Sequence, residues 1–475
     1  MNTGASDTIL EDIVLTVRTM CDNELHPDAI LNMFFSKFAS VMACKNILTN
    51  SSRHVKPLPL AYYSLNLLPS GGSKTKPYKI ISDFYSWLGE IYKQKNEINK
   101  INYIEEKTLG LGSREKDRKT KELEKEVDNL FCVDQNINGA TSQRLYLSCS
   151  AIKYMSFGSL FFYDTEFLEK FEKLGQKNNY DNVLSLIYNL YDGDLDTVST
   201  ALTNREEMAG ISCSACFAST YSKLIREERL FKKFKEYLCG GFARRIFLYI
   251  SKEDNGTRVQ NELPTVDDIY NAKARIPVIT DQLKKLYDCV KEGQTYSFSR
   301  AADKYINEYH RSIKNEAVQK FSYIRTLPIE DEILRVELES STWKIVKLSF
   351  IFHLLKNPSS LLVEKESVQR AVDYYKRTSN YLSDLLNKKA LDEDDNILIF
   401  ANKNLDKKID VNNEFKKIFS NTIKHGWKKF KGSEMIDILD GLQVENIYYC
   451  LEKVGKREYI KFYKQKQGED KLNSL

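Results

Sequence analysis

No stretch of this 475-residue chain approaches the roughly 20 consecutive apolar residues that a membrane span requires. The longest, "KLSFIFHLL" at 347–355, stops far short. The beginning, "MNTGASDTILEDIV", lacks the basic start and apolar run of a secretory leader. The sequence therefore predicts a cytoplasmic protein with no membrane partner. Histidine is scarce: five residues (26, 54, 310, 353 and 425), none near the one close cysteine pair, Cys213 and Cys216. That absence argues against a zinc tetrahedron. The nine cysteines are scattered and odd in number, which predicts free thiols in a reducing compartment, with Cys213 and Cys216 as small buried residues on a strand. Net charge is small as well, at +5, but it is not evenly spread. Residues 401–475 carry 16 Lys+Arg against 11 Asp+Glu, which is the entire excess, so a neutral body precedes a basic end suited to an anionic partner.

What is present reads as two or three domains of α/β class. Residues 1–58 have helical apolar spacing, with Pro27 placed to open the second helix. Residues 59–263 alternate buried strand segments ("YYSLNLL", "GSLFFYDTEF", "GISCSACFAST", "FARRIFLYI") with helical ones, the pattern of a mainly parallel sheet faced by helices. Lys/Glu-rich sequence at about 90–130 predicts an exposed helical hairpin inserted in that core. Residues 264–390 read as entirely helical, and the acidic "LDEDDN" at 391–396 as a linker.

After the first strand comes "LPSGGSKT", Leu68 to Thr75, a near miss to the phosphate loop G-x-x-x-x-G-K-[ST]. Lys74 and Thr75 occupy the lysine and hydroxyl positions, but Leu68 and Ser73 stand where glycines belong. Such a loop works by converging backbone N–H groups on phosphates at a helix N-terminus, with a lysine near the terminal phosphates and a hydroxyl on Mg2+. Three later segments extend the reading. Asp164 and Glu166 end a strand, where one carboxylate suits the magnesium shell and the other a water. Ser219 and Thr220 end the next, as sensors of the terminal phosphate. Arg244 and Arg245 follow "CGGF", where a guanidinium would serve a neighbouring subunit's nucleotide.

The order of these segments, with "PDAILNMFFSKFASVMACKNI", "LYDGD" and "ELESSTWKIVKLSFIFHLL", resembles a family of helicase-like, primase-associated P-loop ATPases of phages, plasmids and mobile elements. The likeness covers roughly residues 20–385 and departs at Leu68, Ser73 and Thr165. It implies a P-loop NTPase core binding ATP and Mg2+. Phosphate contacts would come from Gly71, Gly72, Ser73 and Lys74, the magnesium site from Thr75 with Asp164, and the catalytic carboxylate would be Glu166. Arg244 or Arg245 would act across the interface of a homo-oligomeric ring such as a hexamer, working with primase in a bacterial host cell.

The basic end, 397–475, reads as a winged helix. A helix capped by Ser433 runs to Leu439, the chain turns at Asp440-Gly441, and a second helix spans Gln443–Val454 before a basic ribbon, "KREYIKFYKQK". Lys453, Lys456, Arg457, Lys461 and Lys464 are its candidate DNA contacts, with Trp427 interleaved in "KHGWKKFKG". The expectation from the whole is a DNA-acting replication ATPase. The alternatives are a non-hydrolysing scaffold, helicase loader or replication regulator.

Overall fold

The computed structural model describes residues 4–69, 74–130, 142–168, 179–193, 210–251, 263–321, 327–386, 407–410, 447–454 and 457–464. The chain divides into two compact units, residues 1–222 with 229–387 and residues 223–228 with 388–475.

The first unit opens with α1 (Gly4–Met20) and α2 (Pro27–Ala43). Pro27 begins α2 as predicted, and His26 caps it by accepting from the Asp28 N–H at 3.2 Å. Then come β1 (Leu48–Asn50), β2 (Leu58–Pro59), β3 (Tyr63–Leu68) and α3 (Thr75–Asp83). The predicted helical hairpin is α4 (Leu88–Thr108) and α5 (Ser113–Leu130), turned at Gly110 with φ +81°. It is followed by α6 (Ser142–Met155), β4 (Leu160–Asp164), α7 (Asn179–Asp192), β5 (Cys213–Thr220), α8 (Tyr221–Arg226) and α9 (Glu228–Tyr237). A π-type turn at Leu238–Phe242 leads into β6 (Ile246–Ile250). The later part comprises α10 (Val266–Cys289), β7 (Thr295–Phe298), α11 (Arg300–Lys320), α12 (Ile329–Lys356), β8 (Leu362–Val363) and α13 (Lys365–Leu386).

The main sheet is parallel, in the order β4-β5-β3-β6. Its strands are buried almost throughout, which explains why they read as continuous apolar runs. From β3 the chain crosses β5's position to reach β4; from β5 it crosses β3 the other way to reach β6. Strand order therefore reverses between β3 and β5. Among the described residues, the all-helical expectation for 264–390 fails at β7 and β8. These short strands join β1 and β2 in a second sheet, β2-β1-β7-β8. They were missed because strands of four and two residues are too short to show a period.

Helix α2 packs on one face of the main sheet and is buried on nearly every side. Its Asn32 accepts hydrogen bonds from the hydroxyls of Tyr62 (2.7 Å) and Tyr374 (3.0 Å), tying the sheet to α13. Lys37, 6 % exposed, has its ammonium 4.8 Å from the Phe161 ring centre, near the thiols of Cys44 and Cys216. Burial pushes its pKa below the ordinary 10.5. A lowered folded pKa means the unfolded chain binds the extra proton, so this residue favours unfolding below pH 10.5 and stability rises as pH climbs toward that value. Lys37→Met is therefore expected to raise the thermal midpoint at pH 7 by a few degrees, about 2–4 °C per kcal/mol gained, and to flatten the alkaline rise. Melts from pH 6 to 10 test this; a lower midpoint for the variant would contradict it.

In the second unit, β9 (Lys408–Asp410), β10 (Ile447–Val454) and β11 (Arg457–Lys464) form an antiparallel sheet in the order β10-β11-β9. The expected helix Gln443–Val454 is thus corrected: 447–454 is a strand, and Val454 pairs with Arg457 across a hairpin. "IYYCLEKV" is rich in β-branched and aromatic residues, and its period-2 partner "REYIKFYK" follows at once. The helix expected at 433–439, Trp427 and Lys456 lie outside the described residues.

Candidate functional site

The reversal of strand order between β3 and β5 marks the carboxyl ends of those strands as the crevice where α/β sheets hold ligands. Register pairs Leu68 with Thr220, so both strands end at one level. Lys74 follows β3 at the start of α3, and its Nζ donates to Thr220 Oγ1 at 2.5 Å. Two residues that the sequence reading nominated separately, 146 positions apart, thus meet at the switch point. The first turn of α3 has no side-chain cap and no acidic residue. A helix start without a side-chain cap or an acidic residue, beside a lysine, suits an anion. Gly71, Gly72 and Ser73 lie outside the described residues.

The acidic strand arrives differently. Tyr78 of α3 stacks on Tyr163 at 3.5 Å, so α3 covers the sheet face that carries Tyr163. The Tyr163 hydroxyl donates to Lys74 O at 3.4 Å and sits beside the Thr75 side chain. Burial raises its pKa, so it stays a neutral donor. Side chains alternate along a strand, which places Asp164 on the opposite face, paired in register with Phe217. Ser219 shares that face: it is 2 % exposed and accepts from Leu168 N at 3.4 Å. Glu166 is exposed just beyond the strand end, its N–H donating to Asp164 Oδ1 at 3.0 Å in a local turn. Thr220 and Tyr163 therefore face Lys74 and Thr75, while Asp164 and Ser219 do not. Among the described residues no group of three or more His, Cys, Asp or Glu could hold a metal ion.

Arg244 and Arg245 precede Ile246, whose register partner is Tyr63, the first residue of β3. They lie at the amino ends of the parallel strands, roughly 20 Å from the Lys74 end by the rise of six strand residues. Arg245 is 8 % exposed, ion-paired with Asp192 and bonded to Gly241 O at 2.9 Å. Arg244 is exposed. The basic residues of the second unit also separate. Register sets Arg457 and Lys461 on one face of the hairpin with Lys408, Tyr448, Tyr459 and Tyr463, whereas Lys453 and Lys464 fall on the other with Ile460 and Phe462.

Sequence reasoning missed Tyr163, because an aromatic residue inside an apolar strand carries no signal of what lies above it. No protein-family model matches this chain, and no curated protein matches it.

Proposed function

We propose that the chain is an ATP-binding, helicase-like replication protein of a phage or mobile element, with a P-loop-type core that couples a nucleotide at Lys74 to action on DNA. The observation that carries this reading is the meeting of Lys74 and Thr220 at the switch point, beside the uncapped start of α3. Lys74 would neutralise phosphate charge, the backbone N–H groups of Thr75 and Lys76 at the start of α3 would orient it, and the Thr220 hydroxyl would register the terminal group. Bound ATP would supply the phosphoryl group whose hydrolysis drives movement.

The protein donors for magnesium fit less well. Asp164 lies on the face away from α3, and the Tyr163 hydroxyl stands next to Thr75. Thr75 and Asp164 therefore do not face the same side of the sheet. The same observation favours a second reading, in which the protein binds nucleotide without turnover and serves as a scaffold, helicase loader or regulator. Calorimetric titration with ATP, followed by phosphate release with and without DNA, separates the two. Binding with DNA-stimulated release supports the ATPase; binding without release supports the scaffold; no binding defeats both. In the ATPase reading copies form a ring alongside primase. Of the two arginines, Arg244 is the one available to a neighbour, since Arg245 is tied to Asp192.

The hairpin of the second unit supports DNA contact through the face where Lys408, Arg457 and Lys461 stand with three tyrosines and outnumber Glu452 and Asp410. Changing those three cations to Ala is expected to make the slope of log affinity against log salt shallower by about two to three units, at 0.7–0.9 per phosphate contact. Changing Lys453 and Lys464 on the other face is expected to move it far less. Equal effects from the two sets would refute a one-faced contact.

A further inference from the structure

We infer that the basic cleft at the amino ends of β3 and β6 binds a phosphodiester strand with free base faces, a single-stranded nucleic acid. This cleft lies within the first unit, at the end of the sheet away from Lys74, and the inference needs neither a nucleotide at Lys74 nor a ring. Its volume is about 920 Å³, and its lining includes seven Lys and Arg against only Asp192 and Glu339 among acidic side chains.

Those two carboxylates are already engaged. Asp192 pairs with Arg245, and Glu339 pairs with Arg335, which is also held by Glu332 at 2.5 Å. The positive charge left to the mouth comes from Arg53, Lys56, Arg244 and Lys314, all exposed and drawn from three separate parts of the chain. A surplus of this kind, in a concave site, attracts a partner carrying several negative charges.

Beneath the mouth the floor is built rather than accidental. Gly241 has φ +115°, and a Cβ there would come within 2.9 Å of Arg245 Nη1 and 3.0 Å of Arg244 Nη2. Only glycine lets the π-type turn close onto both guanidiniums. The more buried one, Arg245, lies 5.0 Å from the Tyr188 ring centre, and its Nε is buried without a hydrogen-bond partner among the described residues. A buried donor left unpaired is uncommon and costs stability unless an acceptor reaches it.

The walls supply the base-reading element. Trp343 is 44 % exposed, and the His54 ring meets it edge-on at 4.2 Å. Burial, with Lys347 and Arg53 adding to it, pushes the His54 pKa down to about 4, so the ring is neutral at physiological pH. Its Nδ1 is 3.2 Å from Ser51 Oγ, and its Nε2 is buried without a partner among the described residues. A charged groove with a half-exposed indole is the combination that holds single strands, because every unpaired base offers a face for stacking. In a duplex those faces are covered, which is why the occupant is single-stranded.

The test uses the full chain without nucleotide, in a background where Lys408, Arg457 and Lys461 are Ala so that the hairpin does not report. Arg244 belongs to the ring reading as well and is left unchanged. Fluorescently labelled oligo(dT) and oligo(U) are titrated by anisotropy over a salt series. Arg53→Ala with Lys56→Ala and Lys314→Ala is expected to weaken binding and make the salt slope shallower by about two units, at 0.7 per contact. Trp343→Ala is expected to weaken it roughly ten- to hundredfold, with Trp343→Phe restoring most of the loss. Preference between the two oligomers assigns DNA or RNA as the source. Undiminished affinity in the triple variant overturns the inference. So does tripolyphosphate displacing the oligomer at equal molar strength, which would mark a small-anion site, and so does an absence of oligomer binding. Because no ATP is present, none of these outcomes decides whether Lys74 binds nucleotide.

Discussion

Lys74→Ala is expected to lower ATP affinity about ten- to hundredfold, the range for losing a hydrogen bond to a charged group. The thermal midpoint should barely move. The asymmetry follows from where the lysine sits: its Nζ contacts Thr220 at the mouth of the sheet, and the side chain is only half-buried. Lys74→Arg is expected to recover part of the affinity, since charge is kept but a planar fork replaces a point donor. Thr220→Val provides the complementary case. It removes the acceptor that holds Lys74, so the affinity loss should be smaller than for Lys74→Ala. Calorimetric titration reads all three. Wild-type affinity in Lys74→Ala would remove the nucleotide site from this end of the sheet and leave the loop a connector.

Glu337→Ala should be the most destabilising of the substitutions considered, at about 3–5 kcal/mol. Glu337 and Lys344 form an ion pair at 2.9 Å on α12, with side chains 9 % and 2 % exposed. Tyr375 of α13 donates to Glu337 at 2.6 Å, and Lys344 donates to Ile246 O at the start of β6 at 2.7 Å. One carboxylate thus locks two helices and a strand. Its removal leaves a buried ammonium whose pKa burial already lowers, facing the Ile246 carbonyl and the Phe247 and Tyr375 rings without a counter-charge from Glu337. The sign of the pH dependence follows. The unfolded chain keeps Lys344 protonated up to its ordinary 10.5, so the variant's deficit should shrink as pH rises toward that value. Replacing both partners, Glu337→Leu with Lys344→Met, should cost much less than Glu337→Ala alone. Urea melts at pH 7 and pH 9.5 measure both points; a double variant as unstable as the single one would show that the pair's hydrogen bonds, not its charges, carry the effect.

The parts of this molecule legible in advance were those with local causes. Pro27 opens α2, the Lys/Glu-rich hairpin forms α4 and α5, and four apolar runs become the four strands of one parallel sheet. Where the local signal was weak the reading failed. β7 and β8 are too short to show a period, and "IYYCLEKV" forms a ladder and not the expected helix because of its aromatic content and adjoining partner. At the candidate site, Lys74 and Thr220 were both nominated, but from separate arguments.

By itself, the sequence determined the α/β class, the helical hairpin, the basic end and the lysine after the first strand, because period, composition and turn chemistry act over neighbouring residues. Tertiary structure decided which of the nominated residues share a site. Alternation along β4 turns Tyr163 toward α3 and Asp164 away from it, a consequence of one residue of register that no composition encodes. The same holds for the basic cleft. Arg53, Arg244, Lys314 and Trp343 are far apart in the chain and individually ordinary; only the crossing of two strands' amino ends with α11 and α12 gathers them around one opening.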